Sequence, residues 1–376
     1  MREGRKPEYI GLYNKNLVLE ILIKIGPKSR AELARISKLT KTAISEIVDE
    51  LIEKNILIEV GKVETSRGRR PTKLTINPEL KVLAIDLSGL EGRVGVVNAN
   101  GKIEEDRYHP IEKKEDLFQL IDPLLIKYKN NVVAISLSVP GIIDKYNGEV
   151  ILSVGLNWKN FKLKEFLKEK YPNYPIYMEK DTNSGLLSEL WFGEGKNFNI
   201  LFYLLFEKGI GLGIYYKGNI IEGFNNIEGE IGHTIVSKEI GEKCWCGNKG
   251  CLESIASIPK IQEKILDLGS LEKALINYIQ DNKNSVLQEI FEFLGISLAN
   301  TIHILAPEAI CISGNRGMTK DILNLFTKIL KDKVDKYVFE YLKDKIYFYT
   351  SPLGNDGLLI GAGILGFINY FRELLK

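Results

Sequence analysis

Three of the four cysteines, Cys244, Cys246 and Cys251, fall within eight residues, on a loop that also holds Gly247 and Gly250, and His233 lies upstream of them. Three thiolates and one imidazole are the donor set of a tetrahedral structural zinc site, and a glycine-rich loop can fold around an ion. With four protein ligands such a site is closed, so it would stabilise a loop with little core of its own rather than activate water. In a chain with so few cysteines the clustering points to a metal rather than to disulfides. Buried free thiols are the competing possibility. Cys311 stands in an apolar run and reads as core.

Two further segments have side chains or backbone suited to chemistry. Gly209-Ile210-Gly211-Leu212-Gly213 follows an apolar run, but a glycine loop alone is a poor indicator of nucleotide binding. Ser66-Arg67-Gly68-Arg69-Arg70-Pro71 puts arginines on a glycine-containing tip, which suits phosphates or a narrow minor groove.

The elements that carry this tip form a head over residues 1–78. Leu17, Ile21 and Ile25 fall on one stripe at helical spacing, and Gly26-Pro27 ends that helix. Ser29-Arg30-Ala31-Glu32 is a capping box that starts a second, short helix. Thr40 suits the N-cap of a third helix over about 41–54. Ile44, Ile47, Val48 and Leu51 form its buried face, leaving Lys41, Thr42, Ser45 and Glu46 outward. Runs at 56–60 and 73–76 read as two strands flanking the arginine tip. Two short helices, a turn and a third helix with small polar residues at its start describe a winged helix-turn-helix, whose recognition helix would place Lys41, Thr42 and Ser45 against base edges. Arg67, Arg69 and Arg70 would add contacts from the wing. A three-helix protein-interaction module with a basic loop is the competing reading.

The charge agrees with this division. Residues 1–78 hold 16 Lys and Arg against 10 Asp and Glu, whereas the rest hold 35 against 39. A basic head on a mildly acidic body fits nucleic acid as the head's partner. Apolar runs fall short of a membrane span, and no signal-peptide pattern opens the chain, so the expected location is cytoplasmic, with no membrane partner.

From residue 79 the pattern becomes α/β. Strands are expected at 82–87, 93–98 and near 102–108, then a helix at about 114–128 and a strand at 132–138. A comparable order returns with strands near 199–206 and 211–217, helices, a strand at 309–313, a helix and a strand at 346–349. Two such lobes would form a cleft, the usual place for a small ligand.

At Gly229-Glu230-Ile231-Gly232-His233, followed by Cys244-Trp245-Cys246-Gly247-Asn248-Lys249-Gly250-Cys251-Leu252-Glu253, the chain resembles the ROK family, which groups sugar kinases and sugar-responsive repressors. Val139-Pro140-Gly141, Glu179-Lys180-Asp181-Thr182-Asn183 and the glycine loop are similar too. Ser29-Arg30-Ala31-Glu32-Leu33-Ala34 and the Arg-Gly-Arg-Arg-Pro tip resemble the repressor branch, of the xylose-repressor type. The resemblance implies a winged helix-turn-helix at 1–78 and a two-lobed actin-like, ribonuclease-H-like body. The first lobe would be 79–184, joined by the C-terminal helix 357–376. The second would be 185–356, with the zinc loop and a dimerisation surface. It implies Asn157, Asp181, Glu230, His233 and Glu253 around a sugar, and zinc on His233, Cys244, Cys246 and Cys251. It also implies double-stranded operator DNA, a xylose- or glucose-like monosaccharide, and a homodimer or homotetramer.

Kinases of the family lead from their first strand into Asp-x-Gly-Gly-Thr; here the segment is Asp86-Leu87-Ser88-Gly89-Leu90-Glu91. Ser88 and Leu90 replace residues that admit phosphate, and Glu91 adds negative charge. Lys208 precedes Gly209 where kinases carry Thr, and the adenosine-facing glycine pair is Gly314-Asn315. Phosphoryl transfer depends on intact phosphate loops, so the expectation is a repressor without enzymatic activity. The alternative is a glucokinase-like or N-acetylglucosamine-kinase-like enzyme with a DNA-binding extension. Lys180 stands where those kinases carry Asn, so one sugar contact differs. A zinc-sensing regulator is disfavoured, because a closed site exchanges metal poorly.

Overall fold

The computed structural model describes residues 7–62, 72–89, 91–281, 285–314 and 318–376. Arg67, Arg69 and Arg70, and likewise Leu90 and Asn315, lie outside the described residues.

Three helices and a strand pair build the head: α1 (Pro7–Ile25), α2 (Arg30–Ser37), α3 (Lys41–Glu53), β1 (Leu57–Lys62) and β2 (Thr72–Ile76). The capping box at α2 forms in full, with Ser29 accepting from the Glu32 N–H and Glu32 reaching back to the Ser29 N–H at 2.8 Å. Thr40 caps α3 by accepting from the Ala43 N–H. β1 and β2 pair antiparallel, Leu57 opposite Ile76. Among the described residues α1 already runs from Pro7, ahead of the apolar stripe.

The body repeats one sheet topology. β3 (Lys81–Asp86), β4 (Gly92–Asn98), β5 (Ile103–His109), α4 (Asp116–Lys127) and β6 (Val132–Val139) lead to a small antiparallel sheet of β7 (Ile142–Asp144), β8 (Glu149–Ser153) and β9 (Trp158–Phe161). Then come α5 (Leu163–Lys170), β10 (Ile176–Lys180) and α6 (Asp181–Trp191). The larger sheet has the order β10-β6-β3-β4-β5. The second sheet begins with β11 (Ile200–Phe206), β12 (Ile210–Tyr216) and β13 (Asn219–Ile220). Helices α7 (Glu253–Ala256), α8 (Ile258–Lys264), α9 (Leu271–Asp281) and α10 (Ser285–Leu305) follow, then β14 (Ala309–Gly314), α11 (Lys320–Val334), β15 (Tyr347–Thr350) and α12 (Gly357–Leu374). Its order, β13-β12-β11-β14-β15, has the same pattern as the first: three antiparallel strands, then two that continue parallel. The small sheet was not foreseen: its strands are three to five residues long and half polar, too short for alternation to register.

α6 and α12 run side by side between the sheets, and α12 also packs on β3 and β6. Their approach requires Gly361, since a Cβ there would sit 1.8 Å from the Ser184 carbonyl oxygen. The segment Gly354–Leu374 is long and apolar enough to cross a membrane, yet most of it is buried in this interior. The head joins the same core: Val18, Leu22 and Leu51 belong to one apolar cluster with Leu190, Trp191, Phe367 and Phe371. At its edge Lys24 Nζ lies 4.9 Å over the Trp191 ring, and Lys54 Nζ donates to the Leu374 carbonyl at 3.0 Å.

Candidate functional site

The polar ends of β10, β12 and α6 meet the loop 222–233 and α7 around a cavity of about 360 Å³. Asp181, Glu230, His233 and Glu253 all line it, together with Lys180, Lys208 and Trp245. Four of the five residues expected at a sugar are therefore brought to one cleft.

Asn157 is the exception. The Asn157 N–H bonds the Val154 carbonyl at 3.1 Å, closing a turn that holds Asn157 at φ 55° and leaves it exposed. Leu156 is buried by this turn, and Val154 and Gly155 face the cleft instead.

Asp181 opens α6 and is buried. Its carboxyl is pushed up to about 7, mainly by burial, against the opposing pull of Lys180 and the Thr182 N–H; Asp86 and Glu230 push it further up. Gly229, at φ 71°, sets the chain for Glu230; a Cβ there would fall 1.7 Å from the Leu212 carbonyl oxygen. Glu230 Oε1 accepts from Lys180 Nζ, and Oε2 lies 3.7 Å from His233 Nε2. Glu253 is held by two donors, the Ile210 N–H at 3.1 Å and Trp245 Nε1–H at 3.0 Å. Trp245 meets the His233 ring edge-on, with centroids 4.5 Å apart.

The other imidazole nitrogen faces the cysteines. His233 Nδ1 lies 3.4 Å from Cys244 Sγ, Cys246 Sγ lies 3.5 Å from Cys251 Sγ, and all four donor atoms fall within 4.8 Å of one another. Tetrahedral zinc with bonds of about 2.3 Å needs sulfurs about 3.8 Å apart, so the spacing fits a metal ion. Burial pushes the Cys244 thiol up and the Cys251 thiol up to about 12, so both need a cation to become thiolates. His233 thus stands between the cysteines and the cleft.

Sequence reasoning missed several lining groups. Ser88, Ser153 and Thr182 contribute hydroxyls that are buried and have no hydrogen-bond partner among the described residues. Buried hydroxyls normally find a partner, and a polyol in the cleft would supply one. In sequence they are ordinary strand and helix residues. Trp245 carried the clearer signal, an aromatic between Cys244 and Cys246 of the Cys/His cluster.

A second cavity of about 340 Å³ adjoins the first, and Glu207, Lys208 and Pro259 line both. Asp86, Gly89, Glu91 and Gly314 line only the second. Glu91 lines this second cavity together with Asp86, Glu207 and Lys208, and it adds negative charge there. In the head, Lys41 and Thr42 are exposed at the start of α3 and Ser45 is half-buried, all in its first two turns.

Two similar sheets around a polar cleft, a closed Cys/His cluster at its wall and an added helical head define a sugar-kinase-like protein with an appended module. The ROK family model matches residues 82–366, and the chain belongs to the ROK family. A xylose repressor of Bacillus spizizenii is 28% identical over 384 residues, covering 98% of both chains. A solved ROK family transcriptional regulator, a homologue of the E. coli MLC protein, superposes with a TM-score of 0.81 at 23% identity and 98% coverage of each chain. A ROK family glucokinase from Streptomyces griseus, solved with glucose and AMPPNP, gives 0.64 at 21% identity, covering 76% of this chain and 99% of its own.

Proposed function

We propose that the chain is a cytoplasmic, sugar-responsive transcriptional repressor that binds operator DNA through its head and a monosaccharide, xylose- or glucose-like, in the cleft. The observation that carries this reading is that similarity to a xylose repressor runs through 98% of both chains, the head included. The head is a winged helix-turn-helix of residues 1–78, with α3 as recognition helix. Lys41, Thr42 and Ser45 face the bases, and Arg67, Arg69 and Arg70 reach the backbone or minor groove. The lobes are 79–184 with 357–376, and 185–356, the latter with the dimer surface. A homodimer or homotetramer reads paired half-sites, which one head reads poorly.

Asp181, Glu230, His233 and Glu253 bind the sugar. Carboxylates accept from its hydroxyls, and His233 offers Nε2 while Nδ1 faces the metal. Zinc on His233, Cys244, Cys246 and Cys251 would fix the loop that carries these groups. No phosphoryl transfer is expected, because Ser88 and Leu90 replace residues that admit phosphate and Glu91 adds negative charge beside them.

The connection from cleft to head is physical. α6 begins at Asp181 in the cleft and ends at Trp191, beneath Lys24 of α1. A sugar that touches both lobes favours the closed form, and it shifts the equilibrium by its differential affinity alone. Displacement of α6 against α12 then moves the head.

Gel shifts with genomic fragments at low salt, with and without a monosaccharide panel, test this. A complex weakened by one sugar is expected. No complex with any fragment overturns the DNA reading; a complex indifferent to every monosaccharide overturns the sugar reading.

A further inference from the structure

Lys180, at the cleft floor, is a cation whose donors are only partly used. It ends β10, its side chain is 4% exposed, and it lines the cavity beside Asp181. Its ammonium donates to the Glu228 carbonyl at 2.8 Å and to Glu230 Oε1 at 2.5 Å. An ammonium has three N–H donors and no acceptor. Two are engaged, and the third has no protein acceptor among the described residues.

The pairing also changes Glu230. One of its oxygens is occupied by Lys180, and the other stands beside His233 Nε2. Asp181 keeps acceptor capacity, since among the described residues its one hydrogen bond is the Thr182 N–H to Oδ1 at 2.8 Å. One ligand hydroxyl can therefore accept from Lys180 and donate to Asp181. A second hydroxyl that must give up its proton at Lys180 meets a donor instead of an acceptor.

We propose that Lys180 decides which monosaccharide the cleft accepts, by demanding an acceptor oxygen at that point and rejecting a hydroxyl that has to donate there. The proposal rests on the reading of the cleft as a monosaccharide site. A buried hydroxyl left without an acceptor weakens binding by about tenfold or more, enough to separate epimers that differ at one carbon. A Lys180 that served only to tie β10 to the 228–230 segment would influence all sugars alike.

The test is titration calorimetry on the full chain, with wild type, Lys180→Asn and the near-isosteric Lys180→Met. The panel is xylose, glucose, galactose and mannose. An amide both donates and accepts, and it frees Glu230. Lys180→Asn is therefore expected to reorder the preference, gaining about tenfold for at least one sugar relative to the one wild type prefers. Lys180→Met should lose about tenfold for the preferred sugar. Zinc content and melting temperature report whether each variant is folded. A common loss for every sugar, or an unchanged order in Lys180→Asn, overturns the proposal. On wild type itself, deoxyfluoro analogues of the preferred sugar can accept but not donate. At one position the deoxyfluoro analogue should bind more tightly than the deoxy analogue, and equal binding at every position also overturns the proposal. If wild type binds no sugar of the panel, the monosaccharide reading fails and this proposal falls with it.

Discussion

Replacing Asp181 with Asn should stabilise the protein, and increasingly so as pH rises. The carboxyl is buried at the start of α6 and pushed up to about 7 from an ordinary 3.8, mainly by burial. Below pH ~4 it is protonated in both folded and unfolded chains and adds nothing to the pH dependence. Above that, the unfolded chain releases the proton while the folded chain keeps it until about 7, so stability falls through this window. The loss amounts to roughly 4 kcal/mol at pH 8, more than half of which accrues above pH 5. Asn keeps an acceptor for the Thr182 N–H and carries no charge. Urea unfolding of wild type and Asp181→Asn at pH 5 and pH 8, at equal zinc loading, isolates the effect, because titration of the metal ligands is common to both proteins. The advantage of Asp181→Asn should grow by roughly 2 to 3 kcal/mol from pH 5 to pH 8. An advantage that does not grow would refute the assignment of a raised carboxyl at Asp181. The expected gain also has a functional meaning: a residue that destabilises the fold is retained where it has a ligand to bind.

Elemental analysis should find about one zinc per chain, and Cys246→Ser should lower both that content and the melting temperature; full stability without metal would count against the site. A coupled assay over sugars and ATP should detect no phosphorylation, and turnover in the range of roughly 1–100 per second would restore the kinase reading. Arg69→Ala, in the wing, should reduce the salt slope of operator binding by about 1, whereas Thr42→Ala should alter sequence preference instead; a Thr42→Ala protein with unchanged preference would count against α3 as the reading helix.

The head was legible because caps fix helix starts locally. Ser29 with Glu32, and Thr40, act within four residues, and the structure starts α2 and α3 where they indicate. The two sheets were legible from apolar runs that pack on both faces, as in β3 and β14, whose residues are all buried. The small sheet of β7, β8 and β9 was not, since its short strands bury one side only in part. The Cys/His cluster showed in sequence because cysteine is rare in this chain. Asn157 does not line the cavity: motif adjacency says nothing about the left-handed turn that leaves it exposed. Ser88, Ser153 and Thr182 were overlooked as cleft groups because tertiary packing alone separates a cleft hydroxyl from a core one. The stacking of Lys24 on Trp191 joins residues far apart in the chain, and no local pattern encodes it.

The most direct test is the affinity of the cleft sugar measured by calorimetry with and without saturating operator DNA. Linkage makes the coupling reciprocal: a sugar that weakens operator binding tenfold, about 1.4 kcal/mol, must itself bind tenfold more weakly to the operator complex. Lower sugar affinity in the presence of operator, by the same factor that sugar imposes on DNA binding, is the expected result. Equal sugar affinity with and without DNA would contradict control of the head by the cleft.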